Sequence, residues 1–398
     1  MRLFRDEKLL ASAAEIGTVG SPLSAAWTFP AMIGAAFVVA WGAEAAEFLI
    51  SQGLALAILA LIQTMPEFAV EAVIAWKAGK NPDMVHLAIA NFTGSLRLLT
   101  GFGWPMIYGV AAFSSRRRRG KPLGSITLHS EHAVEVLGLL PPLLYFVVVW
   151  AKGSLGLVDA AFLTASYVAY LVVLLRMPPR AETEEEHEEV PAVSRWALSF
   201  EGWKRWAAVL GLFVAGGAVI FIVAEPFLNS MLSVAVSLGI SQFVFIQWVA
   251  PFISEFPEKT SAFAWARRIT RAPVALMNMV SSNINQWGVL SGLLAVIYCW
   301  SHGDATSLPF DEFQRLEILL TIVQAFLGWL FLASMSFEAY EAAGLFVLWL
   351  IQFLVPSLRH EMLFVYGAWI VLEVALFATG RKKIHAFAAF AKAWRARG

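Results

Sequence analysis

The chain has 398 residues, 59% hydrophobic and 15% charged, with 29 basic residues against 29 acidic ones. A soluble domain usually carries about a quarter charged residues, so this composition excludes an ordinary soluble enzyme; the even charge balance says nothing about partners, and no nucleic acid is expected among them. Apolar segments of roughly 18 residues or more recur along almost the whole length, each able to cross a hydrocarbon core, which gives an all-α polytopic membrane protein whose first partner is the lipid bilayer.

In chain order, Met1 to Gly20 mixes charged and apolar residues without a continuous apolar stretch, so no cleaved signal peptide is expected. Spans are expected at 27–47, 50–77, 83–113, 132–151, 156–176, 205–227, 232–265, 272–300, 315–334, 342–356 and 362–379, ten to eleven transmembrane helices depending on whether the last two divide. Gly101 to Pro105 is placed to bend or split the long third span. Cys299, the lone cysteine, excludes an intramolecular disulfide and a cysteine-built metal site.

The second span carries Gln63-Thr64-Met65-Pro66-Glu67-Phe68 in its middle. Proline removes a backbone donor and breaks or kinks a helix. A glutamate near a bilayer midplane costs at least a few kcal/mol unless it faces a cavity, a partner or an ion. The pair recurs in the seventh span as Ser254-Glu255-Phe256-Pro257-Glu258-Lys259. Two broken apolar helices with a carboxylate at each break, in corresponding places of two halves, mark a transport site.

Between the halves, 177–204 opens with Glu182, Glu184, Glu185, Glu186, Glu188 and Glu189, a like-charge run that stays solvated. Ser194 to Trp206 mixes Trp196, Phe200, Trp203 and Trp206 with Arg195, Lys204 and Arg205, an amphipathic segment suited to the membrane interface. Basic clusters at Arg116 to Arg119 with Lys121, at Arg267, Arg268 and Arg271, and at Arg381 to Lys383 put those loops inside. The N-terminus is then outside and the C-terminus inside, in an inner (cytoplasmic) or plasma membrane; Lys77 and Lys80 run against this.

An internal repeat aligns by eye. Pro66-Glu67 matches Pro257-Glu258 at a spacing of 191 residues (257 against 66), and Asn91-Phe92-Thr93-Gly94-Ser95 matches Asn278 to Ser282 at 187 (278 against 91). About five helices per repeat is odd, so the second copy inserts upside down. The division is a first repeat at 27–176 with its motif at 54–100, a cytoplasmic segment at 177–204, and a second repeat at 205–380 with its motif at 240–290.

These paired motifs resemble the α-repeats of the cation/calcium exchanger superfamily, in which each repeat carries a small-residue Pro-Glu segment followed by an Asn-x-x-Gly-Ser-Asn-like one. The counterparts here are Ile62 to Glu67 with Ala90 to Leu96, and Ile253 to Glu258 with Met277 to Asn283. The resemblance implies a secondary active antiporter exchanging Ca2+, or a related cation, for Na+ or H+ by alternating access, with no cofactor other than the transported ions. The residues allow it independently. Calcium takes six to eight oxygen ligands. Gln63 and Glu67 share a helix face, as do Ser254 and Glu258 with Glu255 beside them, Asn91 and Ser95, and Asn278 and Ser282, with Asn283 following. Glu67 and Glu258 are the carboxylates expected to face each other across the midplane and to hold the metal.

The chain also departs from that pattern. Leu96 stands where the family has an asparagine, Arg97 follows it, and Gln63 and Glu255 replace small hydroxyl residues. Arg97 is a candidate fixed positive charge in place of a coupling cation, partly offset by Glu255, or a residue turned away to snorkel. A Na+/H+ or other cation exchanger with altered coupling, and a non-transporting scaffold or sensor with a degenerate site, are the alternative readings. Plain interhelical hydrogen bonding is the structural alternative for the asparagines.

Overall fold

The computed structural model describes residues 21–46, 48–49, 61, 64–121, 123–177 and 191–395. The upper half of the second expected span, Gln63 included, and the acidic run at 182–189 lie outside the described residues. The chain forms two compact units, the described parts of Met1–Ser95, Pro179–Glu258 and Ile297–Asp304, and of Leu96–Pro178, Lys259–Val296 and Ala305–Gly398. Each unit takes segments from both halves of the sequence.

In the first unit, α1 (Ala25–Ala46), α2 (Met65–Lys80) and the start of α3 (Val85–Leu98) come from the first half. A short α8 (Ala192–Leu198), the 35-residue α9 (Trp203–Ser237), α10 (Gln242–Ser254) and the first turn of α11 (Phe256–Ala266) come from the second. Helices α1 and α9 pack closely because small residues meet. A Cβ added at Gly216 would lie 2.9 Å from the Ala35 carbonyl, and Thr28 and Ser230 join hydroxyls at 2.7 Å. Close backbone approach between small residues is how helices associate in lipid, where no hydrophobic drive acts between them.

The expected boundary between the sixth and seventh spans, at 227–232, is corrected. Helix α9 runs through Pro226 to Ser237, since one proline removes only one ladder bond. The helix ends where Gly239 takes φ +64°, the left-handed conformation that closes helices. The amphipathic segment is in part a helix on α1: the Ser194 hydroxyl donates to the Trp41 carbonyl at 2.9 Å, while Trp196 and Trp203 are exposed.

The second unit contains α4 (Trp104–Arg119), α5 (Ala133–Gly138), α6 (Leu140–Lys152), α7 (Leu157–Leu175), α12 (Ala272–Asn285) and most of α13 (Ser291–His302). To these it adds α14 (Glu312–Leu332), α15 (Ala339–Leu354), α16 (Arg359–Ala378) and α17 (Ala386–Arg395). The final two spans divide at 355–358, and α17 is an addition to the expected set. Two short antiparallel pairs, β1 (Ser125–Thr127) with β4 (Ser336–Glu338) and β2 (Ser154–Leu155) with β3 (Leu308–Pro309), tie loops together.

Six helices among the described residues are long and apolar enough to cross a membrane, and α10 and α15 are shorter apolar ones. The third expected span does not split. It passes from α3 through a π-helical turn, Leu99–Gly103, into α4. A second π-helical turn, Gln286–Leu290, joins α12 to α13. The two start 187 residues apart (286 against 99), the spacing of the asparagine motifs. Each holds a glycine under a neighbouring helix: a Cβ on Gly101 would lie 2.4 Å from the Trp349 side chain, and one on Gly288 3.0 Å from Tyr167. Such turns insert one extra residue and mark functional places in helices.

Candidate functional site

The second Pro-Glu pair breaks its helix as the sequence requires, and in both pairs the proline stands at a helix start. Pro66 stands in the first turn of α2, and Pro257 in the first turn of α11, directly after the α10 helix ends at Ser254. At a helix start proline loses nothing, because its missing N–H would have had no partner there. Glu67 and Glu258 follow immediately, in the first turn of each half-helix, where the positive end of the helix dipole favours an anion.

Glu67 is 1% exposed. Its carboxyl lies against the Glu255 carboxyl and the Ser95 hydroxyl, with Glu71 within Coulombic reach. Glu71, one turn along α2, is fully buried and accepts a 2.6 Å hydrogen bond from the Asn91 amide of α3. Ser254, Glu255 and Glu258 are all buried. The first unit therefore gathers Glu67, Glu71, Asn91, Ser95, Ser254, Glu255 and Glu258, which come from both halves of the sequence.

A backbone oxygen belongs with them. Pro251 lies inside α10 and has no N–H to return to the Gln247 carbonyl four residues back. Gly94 of α3 sits against that carbonyl so closely that a Cβ would be 1.8 Å from the oxygen. The Gln247 amide reaches the Thr93 hydroxyl at 3.4 Å. Gln247 was not singled out from the sequence, although a proline four residues after a buried polar residue was there to be read.

The remaining candidates sit in the second unit. Asn278 and Ser282 are buried on α12. The Asn283 amide meets the Thr100 hydroxyl at 3.3 Å, so one motif residue of the second half touches the π-helical turn of the first. Ser281 bonds the Tyr170 hydroxyl at 3.0 Å. Lys259 is buried.

Arg97 is only 1% exposed, so it does not snorkel. Its guanidinium donates to Glu317 of α14, which also binds Arg359 of α16. Gln352 of α15 accepts from it at 3.1 Å, and Gln324 of α14 donates to its carbonyl at 2.9 Å. Tyr366 closes the set, donating to Gln324 at 3.0 Å and accepting from Gln352 at 2.7 Å. Glu317 was not foreseen as a partner, because the two residues are 220 positions apart.

Near the start of α5, the ligand atoms of His129, Glu131 and His132 lie within 4.8 Å of one another. The His132 Nδ1 already accepts the His129 backbone N–H at 3.2 Å, and the two rings stack, which accounts for the cluster as a helix cap.

The family described as sodium/calcium exchanger protein matches residues 21–176 and 208–357, one stretch in each half. A crystal structure of the H+/Ca2+ exchanger CAX is 30% identical, with a TM-score of 0.83, covering 98% of this chain and 94% of that one. The sodium-calcium exchanger NCX_Mj soaked with 2.5 mM Na+ and 0.1 mM Ca2+ shares the fold at 14% identity, with a TM-score of 0.56 and coverage of 84% and 99%. NCX_Mj soaked with 2.5 mM Na+ and 10 mM Sr2+ gives 17% identity, a TM-score of 0.54 and coverage of 84% and 96%. No curated protein matches the chain. With both halves of its sequence matched, the chain belongs to the sodium/calcium exchanger protein family, multi-pass membrane cation antiporters rather than enzymes.

Proposed function

We propose that this chain is a Ca2+/H+ antiporter, working by alternating access at a midplane site to which both repeats contribute. The observation that carries this reading is the contact between the Glu67 and Glu255 carboxyls beside Ser95. Two carboxylates in a buried place repel unless a proton or a cation stands between them. A proton held there is released when Ca2+ arrives, and a Ca2+ held there leaves when protons return, which is exchange. Glu258 supplies the further carboxylate. The Gln247 carbonyl, Ser254, Asn91 and Ser95 supply neutral oxygens of the kind calcium accepts. The 30% identity to a structure of an H+/Ca2+ exchanger supports the choice of proton over sodium. Gln63, Asn278, Ser282 and Asn283 are proposed as further cation-binding residues from their places in the two repeated motifs. The close-packed pair α1 and α9 is the element we assign to rocking across the site. The positive loops put the N-terminus outside and the C-terminus inside, in an inner or plasma membrane.

The test is uptake of radioactive calcium into proteoliposomes under an imposed pH gradient or an imposed Na+ gradient. Uptake driven by the pH gradient, and lost in Glu67→Gln and in Glu258→Gln, is the expected result. Uptake driven only by sodium reassigns the coupling ion, and no uptake under either gradient rejects transport of calcium.

A further inference from the structure

Helices α4 and α15 leave between them a groove of about 380 Å³, lined by Phe102, Pro105, Met106, Gly109, Ala342 and Phe346. Its walls are almost wholly carbon, and an apolar hollow of this kind does not hold water. Gly109 has nothing within 4 Å of where a Cβ would stand, so one wall of the groove is open.

The groove lies on the same helix as a concentrated positive charge. Arg116 to Arg119 end α4 and are all exposed, and Gly120 closes the helix with φ +72°. Tyr108, which also lines the groove, donates its hydroxyl to the Leu123 carbonyl and reaches the Gly124 carbonyl at 3.2 Å. The loop that follows the arginines is thereby bound back beside the groove's mouth. From Gly109 to Arg116 is seven residues, about 10 Å of helix rise. From Pro105 it is about 16 Å, matching one leaflet, half of a hydrocarbon core about 30 Å thick. Apolar wall and cationic end are therefore set one acyl chain apart. Guanidinium groups bind phosphate through paired N–H donors, and a row of cations at a membrane surface attracts anionic lipid.

We propose that this groove holds one acyl chain of an anionic glycerophospholipid whose phosphate is bound by Arg116 and Arg117, which continue the face of Pro105, Met106 and Gly109. The lipid fills the space between α4 and α15 and fastens the arginine-rich loop to the membrane face. Its site is independent of the ion site.

The probe is a vesicle of phosphatidylcholine with three parts in ten phosphatidylglycerol, from which the full chain is extracted in mild detergent and its retained lipid weighed by native mass spectrometry. Wild type is expected to keep phosphatidylglycerol over phosphatidylcholine at a ratio at least tenfold that of the vesicle. Gly109→Leu fills the groove from α4 and Ala343→Leu from α15; each is expected to lose the retained lipid. Changing Arg116 and Arg117 to glutamine together is expected to leave a lipid bound but abolish the preference for phosphatidylglycerol. Gly211→Leu, at another glycine with open space around it, is expected to behave as wild type. Retention unchanged in both leucine variants, or a preference that survives loss of the two arginines, overturns the proposal.

Discussion

The two buried charged regions of this protein are built on opposite plans. Around Glu67, carboxyl faces carboxyl, with hydroxyl, amide and backbone oxygens beside them. Around Arg97, carboxylate faces guanidinium on both sides, and the glutamines and tyrosine about it are hydrogen-bonded to one another. The first arrangement sets acid beside acid, with neutral oxygens around them. The second sets one carboxylate between two guanidiniums and ties α3, α14, α15 and α16 together. Burial of a charge therefore says little alone; the sign of its neighbours separates the place we propose for ion exchange from one that holds helices.

That contrast can be broken first at the acidic region. Glu67→Gln is expected to lower calcium uptake at least tenfold while the protein stays monodisperse, because the change removes a charge and keeps the shape. A variant that transports as wild type would remove the distinction altogether. Next comes Glu317→Gln, which takes a carboxylate away from two buried guanidiniums and is expected to cost about 3–5 kcal/mol of stability. Thermal unfolding in detergent measures it. Arg97→Asn is expected to act in the same way, lowering stability with the ion dependence of the surviving transport unchanged. A changed ion dependence would make Arg97 part of the ion site. Gly94→Ala forces a methyl group into the Gln247 carbonyl and is expected to cost about 1–3 kcal/mol, with a loss of calcium affinity that Gly34→Ala, where a Cβ has open space, does not share. The smallest effect is at Thr100→Val, which removes a single hydrogen bond to Asn283 and is expected to cost about 1 kcal/mol.

The acidic region was the easier of the two to read from sequence. A proline beside a glutamate inside an apolar run is a local signal, and its repetition made it legible. Glu255 was expected among the cation-binding residues, and its carboxyl lies against that of Glu67. What local pattern could not give was partnership across long distances. Glu317 looks like an ordinary charge at the start of an apolar helix; only the fold brings Arg97 to it. The expected boundary at 227–232 falls inside a 35-residue helix, which runs through Pro226 because it absorbs the loss of one bond. The π-helical turns were invisible because an extra residue in a turn leaves no mark in hydrophobic periodicity over so short a stretch.

Those two turns have a mechanical consequence. Each inserts a residue, so the surface of the helix ahead of it and the surface behind it are out of phase by about 100°. Removing one residue from 99–103 would wind the turn back to an ordinary helix and swing the whole of α4, with its arginines, a quarter-turn or more around its axis.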